Sequence, residues 1–196
     1  AHPLRPMAEQ RRILLVIGTR PEAVKMAPVV HALRQQAWAD VRVLATAQHR
    51  QLLDPILKFF GVTPDRDLDV MRPDQTLAEL TARLLAGLDP VLVAEKPDCV
   101  LAQGDTTTVF AAALASFYRK CTFAHVEAGL RTGDKMQPFP EEANRELVGR
   151  LATLHFAPTT SSRDNLLREG IAASSVHVVG NTVVDALLYA SPRVDA

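Results

Sequence analysis

The stretch "PDCVLAQGDTTTVFAAALASF", Pro97 to Phe117, decides how the rest of the chain is read. An apolar run from Cys99 to Ala102 stops at Gln103 and Gly104, presents Asp105 and a run of threonines, and resumes at helical spacing through Val109, Ala112, Ala113 and Phe117. That pattern is strand, turn, helix. It sets an acid where a strand's carboxyl end meets a helix's amino end, the edge at which open α/β sheets take their ligands.

The same alternation recurs on either side. "RILLVIG" (12–18) is a continuous apolar run suited to a strand covered on both faces. "EAVKMAPVVHALRQQ" follows at helical spacing, with Pro28 implying a kink or a late helix start. "VRVLATA" (41–47) reads as a strand, "QLLDPILKFFG" (51–61) as a helix ended by Gly61, and 62–75 as irregular. "TLAE" (76–79) fits a capping box opening a helix to about Glu95. Beyond Phe117 come "CTFAHVEAG" (121–129) as strand, "EEANRELVGRLAT" (141–153) as helix, then "LHFA", a helix from Thr159 or Thr160 to Glu169, and "VHVVG" (176–180). Alternation of this kind predicts an α/β fold, a doubly wound parallel sheet of Rossmann-like type.

At 196 residues the chain suits one well-cored domain, expected over 12–190. Residues 1–11 read as a disordered leader or a cloning remnant, and 191–196 as the start of a connection. Lys plus Arg and Asp plus Glu both number 22, so no basic excess points to nucleic acid or an anionic membrane as main partner. Cys99 and Cys121 fall inside predicted buried strands without CxxC or Cys/His spacing, which implies a reduced, cytoplasmic setting and no metal site. No apolar stretch approaches the ~18 residues of a membrane span.

Four strand-to-helix turns carry polar residues that the fold does not require. In "GTRPEAVK", Gly18 permits a tight turn and Arg20 and Lys25 can meet phosphate, although both equally suit a solvated helix start. In "QGDTTT", Asp105 can act as a base or orient a cation, unless it or Thr106 is only the N-cap. In "HVEAGLRTGD", Glu127 ends an apolar strand, where Glu is uncommon, and His125 shares its face. In "PFPEEANRE", Glu141 and Glu142 form an acidic first turn, with Arg145 at the i,i+4 position from Glu141.

Taken together, "GTRPEAVKMAP", "TAQHRQLLD", "QGDTTT", "HVEAGLRTGD", "PFPEEANR" and "VVGNTVVDALL", in unbroken order over about 12–190, resemble the non-hydrolysing bacterial UDP-N-acetylglucosamine 2-epimerases. The resemblance implies one half of a glycosyltransferase-B-like two-domain enzyme that interconverts UDP-GlcNAc and UDP-ManNAc without metal or cofactor. In the family scheme, loss of the C2 proton accompanies departure of UDP, giving 2-acetamidoglucal, and readdition inverts C2. Carried onto this sequence, Asp105, Glu127 and Glu141 are the acidic catalytic set, and Arg20, Lys25 and Arg145 bind substrate.

Gln48, His49 and Gln51 match the region where family members bind a second UDP-GlcNAc as activator. Asp74 stands where the best-known members carry arginine, so the resemblance carries over catalysis more firmly than regulation. It also implies a homodimer, a C-terminal UDP-binding domain beyond this chain and an inactive isolated half. The alternatives are a hydrolysing 2-epimerase, a glycosyltransferase-B-type transferase and a non-catalytic nucleotide-sugar-binding module.

Overall fold

In the first strand the alternation of a doubly covered sheet is already complete. Leu14 and Val16 turn to one face and Leu15 and Ile17 to the other, and all four are buried. The computed structural model describes residues 10–46 and 50–194. Its sheet comprises β1 (Arg11–Ile17), β2 (Ala39–Ala45), β3 (Arg66–Asp67), β4 (Cys99–Gln103), β5 (Thr122–Val126), β6 (Leu154–Ala157) and β7 (Val176–Val178). All pairings are parallel, in the order β3-β2-β1-β4-β5-β6-β7.

Among the described residues seven α-helices alternate with the strands: α1 (Arg20–Arg34), α2 (Arg50–Phe59), α3 (Leu77–Glu95), α4 (Thr107–Tyr118), α5 (Glu141–Leu151), α6 (Thr160–Arg168) and α7 (Thr182–Val194). Helices α3, α4 and α5 cover one face through Leu84, Leu88, Ala112 and Val148. Helices α1, α2 and α7 cover the other through Met26, Val30, Leu53, Leu57 and Ala186. Each fully buried Leu, Val or Met among them contributes about 1.5–3 kcal/mol of transfer free energy.

This is the doubly wound, Rossmann-like order that the alternation predicts. The chain winds outward from β1 through β2 to β3, then returns to the other side of β1 with β4. Between β1 and β4 the winding reverses, which opens a crevice at the strands' carboxyl ends.

Several local expectations are corrected. Helix α1 begins well before Pro28, its start fixed upstream by the Thr19 capping box and by Pro21 in the first turn, so the late start is excluded. The stretch read as irregular contains β3, whose two residues are too few to show a period. Cys121 lies just before β5, not within it, and both thiols are only partly buried. Burial pushes Cys99 up to about 12 and raises Cys121 as well, which disfavours the thiolate form in both. Strand β1 begins at Arg11, whose N–H donates to the Trp38 carbonyl at 2.7 Å. Helix α7 continues to Val194 and packs along α1, with Tyr189 stacked on His31 at 5.3 Å. No helix of the described residues is long and apolar enough to cross a membrane.

Candidate active site

Gly18 follows β1 where there is no room for a side chain: a Cβ there would stand 2.4 Å from Thr108 Oγ1 and 2.8 Å from Thr46 Oγ1. The first turn of α1 can therefore lie close against the start of α4. After β4 the chain turns at Gly104 (φ +90°) and presents Asp105, while Thr106 takes the N-cap of α4, accepting from the Val109 N–H. With the cap supplied by Thr106, the Asp105 carboxylate is left for another partner. After β5, Glu127 itself occupies the left-handed region at φ +65°.

These three turns enclose a cavity of about 240 Å³ lined by Glu22, Lys25, Gln103, Asp105, Glu127 and Arg145 among others. Two ion pairs stand in its wall. Lys25 Nζ donates to both carboxylate oxygens of Glu127, at 2.7 and 2.8 Å. Glu127 also accepts from Gln103 Nε2 and, at 3.0 Å, from Asn181 Nδ2 in the turn between β7 and α7. Arg145 Nε donates to Asp105 Oδ2 at 2.9 Å with Nη2 2.6 Å from the same oxygen, and Asn144 Nδ2 donates to the Asp105 carbonyl at 2.8 Å.

Behind Arg145 lies Glu142, fully buried. Its Oε1 accepts the N–H groups of Thr132 and Gly133 at 2.8 and 3.0 Å, and its Oε2 accepts from Arg145 Nη1 at 3.0 Å. Burial works to raise its pKa, but those backbone donors and the guanidinium outweigh it and hold the carboxyl below its usual range. Glu22 shows the opposite balance. Burial pushes its carboxyl up to about 7, against hydrogen bonds from Thr106, Gly18 and Thr19.

The structure thus brings Asp105, Glu127, Lys25 and Arg145 to one cavity. Arg145 pairs with Asp105 and Glu142 and not with Glu141 as its spacing suggested, because the i,i+3 neighbour lies on the buried face. Glu141, the first residue of α5, is partly buried and does not line the cavity. Arg20 is exposed at the start of α1, and Gln51 is exposed on α2. Gln48 and His49 lie outside the described residues. His125 does not pair with Glu127. It is buried with Nε2 2.7 Å from the Gly104 carbonyl oxygen, and burial lowers its pKa to about 4. Among the described residues no group of three or more His, Cys, Asp or Glu could hold a metal ion.

A family model described as UDP-N-acetylglucosamine 2-epimerase matches residues 31–196. The chain belongs to that family. The Escherichia coli K12 protein named UDP-N-acetylglucosamine 2-epimerase is 55% identical over 183 residues, covering 93% of this chain and 49% of that protein. The crystal structure of Neisseria meningitidis UDP-GlcNAc 2-epimerase bound to UDP-GlcNAc superposes with a TM-score of 0.90 at 49% identity, over 94% of this chain and 50% of that one. The Methanocaldococcus jannaschii UDP-GlcNAc 2-epimerase in complex with UDP-GlcNAc and UDP gives 0.89 at 38% identity, with the same coverage of 94% and 50%. The chain spans about half the length of the relatives it matches.

For this 2-epimerase family chain, sequence reasoning missed Gln103, Glu142 and Asn181, which bond charged groups at the site, and Glu22, which bonds the turns after β1 and β4. Two left a readable signal. Thr19 and Glu22 have capping-box spacing, and Gln103 is a polar residue terminating an apolar strand. Asn181 and Glu142 left none, because an Asn before a helix and an acid in its first turn each have a sufficient local reason.

Proposed function

We propose that the protein is a non-hydrolysing epimerase that interconverts UDP-GlcNAc and UDP-ManNAc at C2. The observation that carries this reading is the pair of carboxylates, Asp105 and Glu127, rising from adjacent strands into one cavity, each oriented by its own cation.

In the proposed step the C2–H bond breaks and its proton passes to a carboxylate. The C1–O bond breaks with its electron pair going to the β-phosphate oxygen of UDP, and C1=C2 forms. Return of a proton to the opposite face of C2, with the UDP oxygen rejoining C1, gives the epimer. A proton must leave one face and arrive on the other, so groups at two positions are needed, and the turns after β4 and β5 supply two. Lys25, Arg145 and the exposed Arg20 are the cations on offer to the departing diphosphate. Glu141 joins the acidic set on the strength of the family motif, at the first turn of α5 where its neighbour Glu142 already faces inward.

The same proposal assigns most uridine contacts and closure of the cleft to a second domain, consistent with the half-length coverage of relatives. The isolated half is then inactive. A homodimer is supported by exposed Phe117, Tyr118 and Leu147 on α4 and α5, and a cytoplasmic, reducing compartment by the free thiols. A second substrate molecule acting as activator would meet Gln48, His49 and Gln51.

The test is proton NMR of UDP-GlcNAc in D2O with this chain and, separately, with the intact protein. Deuterium entering C2 and a UDP-ManNAc anomeric signal with the intact protein support the proposal. Release of free ManNAc and UDP identifies a hydrolysing enzyme, transfer to an added acceptor a transferase, and binding without exchange a sensor. Turnover by the 196-residue chain alone sinks the two-domain part.

A further inference from the structure

Among the described residues the Thr-x-x-Glu capping box occurs at the start of both α1 and α3, and the two copies differ in burial. In α3 the box of Thr76 and Glu79 is solvated, with Glu79 accepting from the Thr76 N–H at 2.8 Å. In α1 the box of Thr19 and Glu22 is sealed, with Glu22 only 2% exposed. Capping a helix needs no buried carboxylate, as α3 demonstrates, and burying one is costly unless it is bonded to something that matters.

Glu22 is bonded across the site. Its Oε2 accepts the N–H groups of Gly18 and Thr19 at 2.5 and 3.2 Å, which fixes the turn after β1. Its Oε1 accepts the Thr106 hydroxyl at 2.6 Å, across 84 residues, which fixes the turn after β4. Thr106 adjoins Asp105. Asp105 is otherwise held from the α5 side, by Arg145 on its carboxylate and Asn144 on its carbonyl. Lys25, three residues after Glu22 and so on the same helical face, grips Glu127 directly.

We propose that Glu22 is a positioning residue for Asp105, acting through Thr106, so that the first turns of α1 set both Asp105 and Glu127 relative to one another. The inference rests on the epimerase reading for its consequence in turnover, but its geometry stands apart from that chemistry. A displacement of ~1 Å at a reacting group costs as much as ~10²-fold in rate.

Glutamine separates position from charge. In E22Q the amide oxygen still accepts from Gly18 and Thr19, and the amide nitrogen donates to Thr106 Oγ1, so the tie is kept with one bond reversed. Alanine removes the tie altogether.

The experiment compares E22A, E22Q, T106V and T106S in the intact protein, reading kcat, KM and hydrogen exchange at the amides of Gly104, Asp105 and Thr106. E22A and T106V are expected to lose about 10- to 100-fold in kcat with KM within about 3-fold, and to exchange faster at those amides. E22Q and T106S are expected to stay within about 3-fold of the parent, with protection retained. Parent-like kcat in E22A, E22Q as impaired as E22A, or unchanged protection at 104–106 in E22A and T106V would each overturn the proposal. If E22A does not fold, the T106V and T106S pair decides by the same criteria. If the intact parent shows no epimerisation, the functional reading fails, and exchange at 104–106 alone decides whether Glu22 holds Asp105.

Discussion

Replacing Glu22 by Gln should change how stability depends on pH, in a direction that the burial of this carboxyl fixes. Its pKa is pushed up to about 7 from an ordinary 4.5 by burial, so the folded chain keeps a proton that the unfolded chain gives up first. Below pH 4.5 both states are protonated and Glu22 contributes no pH dependence. As pH rises from 4.5 to about 7, the unfolded state is increasingly favoured, and stability falls. At 1.36 kcal/mol per pH unit the full loss is about 3 kcal/mol, of which about 2.5 kcal/mol falls between pH 5 and pH 8.

The parent curve alone would hide this. His125, with its pKa lowered to about 4 by burial from an ordinary 6.5, is neutral in the fold and takes stability away as pH drops through the same range. The informative quantity is the difference between parent and E22Q, in which His125 cancels. Urea unfolding of both chains from pH 5 to 8, read by circular dichroism, should show E22Q gaining about 2.5 kcal/mol on the parent as pH rises. A difference that stays flat across that interval would mean Glu22 is ionised throughout, with the N–H groups of Gly18 and Thr19 and the Thr106 hydroxyl outweighing burial. That result would refute the reasoning.

Three other outcomes follow from named contacts. R145M leaves the fully buried Glu142 without its cation and should destabilise the fold by about 3–5 kcal/mol in urea unfolding, with R145K recovering part of the loss. E127G should be more stable than E127A by about 1 kcal/mol, because both lose the ion pair but only alanine keeps a Cβ at φ +65°. Equal unfolding midpoints for that pair would show no strain at this residue. D105N in the intact protein should lower deuterium incorporation at C2 by about 10²- to 10⁴-fold while its melting temperature stays near the parent's.

Much of this fold is legible because the sequence repeats one grammar. Short apolar runs such as Cys99 to Ala102, bounded by turn residues and alternating with helical spacing, read as doubly covered strands, and Thr76 with Glu79 marks the start of α3 to the residue. The strand-end position of Asp105 and Glu127 is legible for the same reason, since a polar residue closing an apolar run lies at the sheet's edge. Their partners are not, because the pairing spans the chain: Lys25 to Glu127 crosses 102 residues and Asn181 to Glu127 crosses 54. The choice between Glu141 and Glu142 as the inward-facing acid is equally unreadable locally. It is made by the N–H groups of Thr132 and Gly133, contributed by a loop with no periodicity.

The backbone at Glu127 argues for a site assembled at some cost to stability. After β4 the left-handed position is given to Gly104, which takes φ +90° freely, whereas after β5 the corresponding turn gives it to a glutamate at φ +65°. A non-glycine residue there costs on the order of 1–2 kcal/mol and persists only where the surroundings over-determine it. They do: Lys25 from α1, Gln103 from β4 and Asn181 from the β7–α7 turn all bind its carboxylate. Asp105 is constrained just as heavily, by Arg145 and Asn144 on one side and by Glu22 through Thr106 on the other. Both acids are therefore fixed before any ligand arrives, by side chains rooted in the rigid sheet and in helix first turns. This half supplies geometry. Under the proposed function, any motion that admits a nucleotide sugar would come from elsewhere in the intact protein, since moving these acids would break contacts from several elements at once.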